Sequence, residues 1–499
     1  MNSEFYVLDA AESKQVDSYS IDEMGIPSLV LMERAALAVS KEILKSGADK
    51  SVLCICGSGN NGADGLAVAR QLSEKNVDVS VLFASGVDKE GTREYEVQKN
   101  IINNLGINVV TEYKIKTYDV VVDAMFGIGL SRDVKGEYGR LIERINEDLA
   151  EVVAVDIPSG INATDGRVMN VAVKADKTVT FGYLKMGLLL YPGAEYTGEI
   201  VTEDIGFAKG AVKILDNPAF TYGCQELKKL PIRKKNGNKG TFGKVLVAAG
   251  SKTMGGAAIF CGLAAYRCGC GLVKLLTHEV NRDGILKHVP EALMSLYGDE
   301  PSKEQVCEDV SWASCIVLGP GIDTDKSAVM LAATVLGNAD VPVILDADGL
   351  NIAAAGKLKD YGKGKQVIVT PHVGEMSRLS GYTISQIKAE PVRIAKEYAL
   401  KENVICVLKD ARTIVTDGKR VYINTSGCDA LATGGSGDAL AGIIAAMITS
   451  GMPLLESAAM GCFIHGKAGE FAGKELGNRA VLARDIADYA GNVIKDCNF

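Results

Sequence analysis

The most reactive arrangement in the sequence lies near its C-terminal end, where Ala432-Thr433-Gly434-Gly435-Ser436-Gly437-Asp438 runs into the apolar stretch 439–447. Three glycines within four residues let backbone N–H groups converge. The apolar run predicts a helix, so those amides sit at its positive end, where an anion such as phosphate binds. Asp438 falls on the first turn, placed to take a proton from a substrate hydroxyl beside a phosphate, the work of a general base. The plainer reading is a glycine-rich turn with an N-capping aspartate, and the company this motif keeps decides between them.

Three loops in the first half carry comparable chemistry, each after a strand-like run. The first, Gly57-Ser58-Gly59-Asn60-Asn61-Gly62-Ala63-Asp64-Gly65, contains G-x-G-x-x-G. A dinucleotide fold would also place an acid at the end of the next strand, but Phe83 is followed by Ala84-Ser85, so the ordinary dehydrogenase reading is set aside. Asn60, Asn61 and Asp64 point instead to amides and a carboxylate gripping a polar ligand or a cation. The second loop opens on Asp123 and continues through Gly127 and Gly129 to Asp133, and the third turns through Asp156-Ile157-Pro158-Ser159-Gly160. Each alone reads as a strand-end turn, whereas three acid-bearing loops at three strand ends point to a site. In the second half Gly319-Pro320-Gly321, Asp346-Ala347-Asp348, Pro371-His372 with Glu375, and Lys409-Asp410-Ala411-Arg412 follow successive strand-like runs in the same way. Taken singly, these are a satisfied histidine, helix-capping carboxylates and a surface lysine.

Positioning such loops takes parallel sheets. Residues 9–45 show apolar positions at helical spacing, and strand-like runs at 51–56, 77–83, 118–123, 151–156 and 177–181 alternate with helix-length segments. That pattern predicts a parallel sheet with helices on both faces, whose ligands bind at the C-terminal ends of the strands. A second α/β series runs through strands at 244–249, 314–318, 342–345, 367–370 and 404–408, with a small-residue helix at 257–268. Between the two series, over about 207–240, periodicity lapses and Lys228, Lys229, Arg233, Lys234, Lys235 and Lys239 accumulate. The expected division is therefore 1–210, a basic linker over 211–235, and 236–499, in keeping with a 499-residue chain too long for one core. A net charge of -8 offers no electrostatic footprint for nucleic acid or an anionic membrane, which leaves small-molecule chemistry. The twelve cysteines form no C-x-x-C, and Cys54, Cys56, Cys315 and Cys406 sit inside apolar runs, the usage expected of a reducing cytoplasm. Residues 1–15 carry neither a basic start nor an apolar segment, so no signal peptide is expected, and the uncharged run 439–455 reads as a buried helix.

With these residues assembled, NNGADG (60–65), VDAMFGIGLSRD (122–133), VDIPSG (155–160) and YPGAEYTG (191–198) resemble the N-terminal half of the bifunctional NAD(P)H-hydrate repair proteins over about residues 9–205. The resemblance implies an NAD(P)HX epimerase in which Asn60, Asn61, Gly62, Ala63 and Asp64, then Gly127, Ile128, Gly129, Leu130, Ser131, Arg132 and Asp133, and finally Tyr138 and Asp156 hold the damaged nucleotide. It further implies that Asn61, Asp123 and Ser159 surround a potassium ion. GxFGKVLVxAGS, GPG, LDADGLN, TPHxGE, a lysine-bearing strand end and ATGGSGDxLAG, in that order, resemble the ADP/ATP-dependent NAD(P)H-hydrate dehydratase, a branch of the ribokinase-like fold, over about residues 225–499. There Ala257, Gly321, His372 and Asp438 would contact the hydrated nicotinamide nucleotide, while Lys409, Asp410, Ala411, Arg412, Thr413 and Gly437 would hold ADP with its magnesium. Asp410 stands where the family has glycine, and Gly427-Cys428-Asp429 replaces its Asn- and Pro-containing turn, two departures that touch the nucleotide pocket.

The fold class implied is α/β in two domains, an N-terminal Rossmann-like three-layer sandwich and a C-terminal ribokinase-like domain. The substrate implied, NADHX or NADPHX, is a reduced nicotinamide carrying a hydroxyl at C6. The S form would be dehydrated at the expense of ADP, releasing AMP and phosphate, and Asp438 and Asp156 would be the catalytic residues of the dehydratase and the epimerase. A homo-oligomer in the cytoplasm, without nucleic acid or membrane partners, completes the expectation. Two alternatives stand beside it. A small-molecule kinase of vitamin precursors shares the GxGD-type loop, but the epimerase-like first half and the His372-Val373-Gly374-Glu375 loop argue against it. A non-catalytic binding module in the first half is disfavoured by Asn61, Asp123, Asp156 and Ser159 occurring together.

Overall fold

In the computed structural model, which describes residues 6–496 apart from 46, 48, 359 and 360, the chain forms two units that part between Phe220 and Thr221. The leaderless start read over 1–15 falls in part on residues 1–5, outside the described residues.

Runs rich in valine and isoleucine fit the pleated, buried surface of a sheet, and they supply most of the strands of the first unit: β1 Tyr6–Leu8, β2 Ser51–Cys56, β3 Asp78–Phe83, β4 Asn108–Val110, β5 Val120–Ala124, β6 Glu151–Val155, β7 Lys177–Phe181, β8 Leu184–Lys185, β9 Glu199–Glu203 and β10 Ala219–Phe220. Seven of them form a parallel sheet in the order β4-β3-β2-β5-β6-β7-β9. Because strand side chains alternate between faces, Val52, Cys54 and Cys56 join one apolar cluster, with Leu31, Val39, Leu66 and Ile102 from the helices Ser28–Leu44, Asn60–Ser73 and Arg93–Leu105. Leu53 and Ile55 join the other, with Ile142 and Ile145 from Glu137–Glu147. The result is a three-layer sandwich. The helical pattern over 9–45 resolves into Ala10–Ser18, a π-helical turn Tyr19–Glu23 and Ser28–Leu44, the last entered from Pro27, whose ring cannot continue a preceding helix. Strand β1 lies outside the main sheet, between β8 and β10.

The second unit contains β11 Lys244–Ala248, β12 Leu272–His278, β13 Leu293–Tyr297, β14 Cys315–Leu318, β15 Val343–Leu345, β16 Val367–Val369, β17 Ile405–Leu408, β18 Ile414–Thr416 and β19 Val421–Ile423. They run in the order β13-β12-β11-β14-β15-β16-β17-β18-β19, parallel as far as β17 and antiparallel beyond it. The apolar run read at 439–447 lies in the helix Ser436–Thr449, which packs against Gly256–Arg267 and Leu454–Leu476. Its small residues allow that approach, since a Cβ on Gly442 would lie 2.2 Å from the Cys261 carbonyl oxygen. The stretch 211–235 carries short 3-10 turns at Ala211–Ile214 and Cys224–Lys229, and the Arg233 guanidinium stacks 4.0 Å from the centre of the Phe242 ring. Cys54, Cys56, Cys315 and Cys406 are free and buried. No helix among the described residues is long and apolar enough to cross a membrane.

Candidate active sites

The strand-end loops of the first unit surround a cavity of about 760 Å³. Asn60, Asn61, Asp64, the stretch 127–132, Tyr138 and Asp156 all line it. Three residues expected there do not: Gly62 and Ala63 are buried in the helix, where a Cβ on Gly62 would lie 1.8 Å from the Gly57 carbonyl oxygen, and Asp133 is exposed, 3.5 Å from Lys135 Nζ. Gly57 is itself fixed by a close approach, because a Cβ there would meet the Met125 carbonyl oxygen at 2.1 Å.

Asp123, at the end of β5, is fully buried. Its Oδ1 accepts from Ser159 Oγ at 2.6 Å and from the Met125 N–H at 3.3 Å, and its Oδ2 accepts from the Ser159 N–H at 2.7 Å. Burial raises its carboxyl to about 6, against the lowering effect of those bonds. Asn61 Nδ2 donates to the Phe126 carbonyl at 3.1 Å, and the Asn61 amide oxygen accepts nothing among the described residues. Amide, carboxylate and hydroxyl oxygens are therefore held near one another, a donor set that suits a hard cation of low charge.

Asp156 caps β6 with φ at +65°, a left-handed conformation that costs on the order of 1 kcal/mol and aims its carboxylate at β7. Oδ1 accepts from Thr180 Oγ1 at 3.1 Å, from the Phe181 N–H at 3.2 Å and from Lys185 Nζ at 2.5 Å. Lys185, only 4% exposed, also donates to Thr180 Oγ1 and the Phe181 carbonyl, each at 2.9 Å. Asp17, on the helix Ala10–Ser18, lines the cavity too, and burial followed by Asp156 raises its carboxyl. Sequence reading passed over both. Lys185 did leave a signal, a lone lysine in the otherwise uncharged run 183–190, while Asp17 sits on an amphipathic helix and looks like any solvated acid.

In the second unit Gly435, with φ at +90°, forms the N-cap of Ser436–Thr449, a backbone setting open to glycine. The N–H groups of Gly437 and Asp438 meet no acceptor among the described residues, so the helix offers the free amides that bind anions. Asp438 is half-buried, and burial, then Asp346, raises its carboxyl to about 7 against the lowering effect of Lys409. Lys409, following β17, pairs with Asp346 at 2.9 Å. Burial would lower its ammonium, but Asp346 and Glu375 outweigh this and it ends raised. A Cβ built on Gly437 would lie 3.4 Å from Lys409 Nζ and 4.0 Å from Asp346 Oδ2, so the anion loop and the ion pair are neighbours.

His372 caps the helix Val373–Ser380, its Nδ1 accepting from the N–H groups of Gly374 and Glu375 at 3.0 and 3.3 Å. Burial, Lys409 and Arg378 lower its pKa, so the neutral ring carries its proton on Nε2, as a donor. Ala347, between Asp346 and Asp348, has φ at +47°, a second strained residue in an acid loop. Gly321 and Ala257 are neighbours, since a Cβ on the glycine would sit 3.1 Å from that of the alanine. Beyond Lys409 the expected nucleotide residues run into the connection between β17 and β18, where Asp410 accepts from the Ala411 N–H at 2.9 Å, Arg412 donates to the Thr425 carbonyl at 3.5 Å and the Thr413 carbonyl accepts from the Asn424 N–H at 2.9 Å. In the departing turn the Gly427 N–H donates to Glu470 at 2.8 Å, and Asn478 donates to Asp429. His465, unflagged by sequence, is buried with its Nε2 3.0 Å from the Ser436 carbonyl and 3.1 Å from its hydroxyl, which ties the anion loop to the helix Leu454–Leu476.

Known proteins match both halves. The NAD(P)H-hydrate dehydratase family matches residues 245–492, and the YjeF-related protein N-terminus family matches residues 28–187. A bifunctional NAD(P)H-hydrate repair enzyme of Thermofilum pendens is 34% identical over 98% of this chain and 96% of its own length, and one of Moorella thermoacetica is 35% identical over 98% and 97%. Among solved structures, the ADP/ATP-dependent NAD(P)H-hydrate dehydratase of Bacillus subtilis, co-crystallised with ATP and magnesium, is 30% identical, with a TM-score of 0.51 over 56% of this chain and 98% of that one. A ribokinase-like superfamily protein of Enterococcus faecalis is 26% identical, with a TM-score of 0.51 over 56% and 95%. With relatives of this identity spanning almost its whole length, and with a catalytic-type cluster at the strand ends of each unit, the chain belongs to the family of bifunctional NAD(P)H-hydrate repair enzymes.

Proposed function

We propose that the first unit interconverts the R and S forms of NADHX and NADPHX and that the second dehydrates the S form to NADH or NADPH with ADP as phosphoryl donor, the stretch 211–235 joining them. The observation that carries the second assignment is Asp438, a carboxyl raised to about 7 beside unpaired helix amides and the Lys409–Asp346 pair. Asp438 takes the proton of the C6 hydroxyl, whose oxygen attacks the terminal phosphorus of ADP as the bond to AMP breaks. The Gly437 and Asp438 amides and Lys409 neutralise charge on the transferring group. The ring nitrogen's lone pair then expels phosphate from C6, and loss of a C5 proton restores the dihydronicotinamide. Neutral His372 offers its Nε2–H as a hydrogen-bond donor to the substrate, beside Gly321 and Ala257.

Magnesium, present with the nucleotide in the Bacillus subtilis relative, fits the hard carboxylate oxygens of Asp346 and Asp348 together with nucleotide phosphates, where it would neutralise phosphoryl charge. Potassium fits the oxygens of Asn61, Asp123 and Ser159, where it would order the loops of the first cavity. In that cavity Asp156 assists reversible loss and return of the C6 hydroxyl. Product analysis tests the dehydratase assignment: AMP and inorganic phosphate should each form in equal amount with NADH, and Asp438→Asn should lower the rate by about 10²–10⁴-fold. A stable phosphorylated product would instead return the kinase reading.

A further inference from the structure

Asp17, Asp64, Asp156 and Glu94 line the first cavity together with Lys14, Lys185 and Arg132, and Lys185 is not shared evenly among the carboxylates. Lys185 commits its ammonium to Asp156, Thr180 and the Phe181 carbonyl. Asp156 in turn receives three donors on one oxygen. Asp64 and Asp17 accept no hydrogen bond among the described residues. Asp64 stands on the helix Asn60–Ser73 and Asp156 at the end of β6, so the two come to the cavity from different elements.

Resting on the epimerase reading of this cavity, the geometry points to a division of labour in which Asp64 is the general acid that protonates the departing C6 hydroxyl, Asp156 is the base that receives a proton from the returning water, and Lys185 is the positioning residue that holds the Asp156 carboxylate in place. Two carboxyl groups in one site with opposed surroundings are how acid and base roles are separated. The charged groups facing Asp64 are Asp156 and Asp17, with the Cys56 thiol on β2 beneath, and its carboxyl lies well above the ordinary range, first through burial and then through those two aspartates. Facing Asp156 are Lys185, Asp17 and Asp64, and the wider cavity adds Lys14, Glu94 and Arg132.

The step balances within the site. Asp64 gives its proton to the C6 oxygen, the C6–O bond breaks and its electron pair leaves with water, while the ring nitrogen's lone pair forms a C6=N1 iminium. Water then adds to the other face of C6, the π pair returns to nitrogen, and Asp156 takes the proton of the adding water. Exchange with solvent resets both acids. No oxidant, reductant or nucleotide is consumed, and Asp17 has no transfer to perform.

The test follows epimerisation of R-NADHX against pH in the full-length protein, with dehydration of pure S-NADHX as a control for folding. The wild type should lose epimerase rate as pH rises above the ordinary carboxylate range, as Asp64 gives up its proton. Asp64→Asn should lower kcat by about 10²–10⁴-fold, with little change in KM, and abolish that descending limb, and Asp64→Glu should recover activity with the limb displaced. Lys185→Met should lower kcat with little change in KM, as Asp156 loses its orientation, and leave the descending limb in place. An Asp64→Asn protein that keeps the wild-type rate and limb, or changes KM alone, overturns the acid role while leaving the epimerase reading standing. A wild-type protein that dehydrates S-NADHX but never converts the R form overturns the epimerase reading itself.

Discussion

At the scale of single residues, Lys409 pairs with Asp346 and acts electrostatically on Asp438, the proposed base of the second site. Burial and then Asp346 raise the Asp438 carboxyl, the Lys409 charge lowers it, and together they leave it at about 7. A base must be unprotonated to act, so dehydratase kcat should rise with pH through about 7 and level off above it. Removing the lysine removes the positive charge that favours the carboxylate, so Lys409→Met should move that ascending limb to higher pH and raise the KM for ADP. A limb that stays in place would mean that the titrating base is not Asp438. Much of this site was legible because glycines, acids and the lysine fell at strand ends in a recognisable order. Asp346 and Glu375 were visible as motif letters, but only folding reveals that both act on Lys409. Lys185 and Asp17 were missed because their meaning comes from contacts 29 and 139 residues away along the chain, at Asp156.

At the scale of elements, the anion loop depends on how closely its helix can approach its neighbour. Ser436–Thr449 lies so near Gly256–Arg267 that a methyl group on Gly442 would lie 2.2 Å from a backbone oxygen, which no rotamer change relieves. Gly442→Ala should therefore cost about 1–3 kcal/mol as overpacking, read as a lower denaturant midpoint, and an unchanged midpoint would show that the helix pair has slack. Sequence periodicity found this helix and the long buried strands, since continuous apolar runs between polar loops are what both-sided burial requires. It passed over β4, β18 and β19, each of three residues, although β15 and β16 of equal length were found, because those two lead directly into the acid- and histidine-bearing loops at 346–348 and 371–375. Strands β12 and β13 were missed for another reason: Leu272–His278 mixes buried with half-buried residues and β13 begins exposed, as expected toward a sheet edge.

At the scale of the whole molecule, the chain couples two repairs of one metabolite. A dehydratase that takes only the S form would leave the R form behind, and an epimerase in the same chain returns it to use. The direct test follows NADH absorbance from a mixed R and S NADHX preparation with ADP and magnesium, using the intact protein beside Asp156→Ala and Asp438→Asn. The account predicts complete recovery of NADH by the intact protein, recovery of the S fraction alone by Asp156→Ala, and essentially none by Asp438→Asn. Full recovery of both epimers by Asp156→Ala, or undiminished recovery by Asp438→Asn, would contradict it.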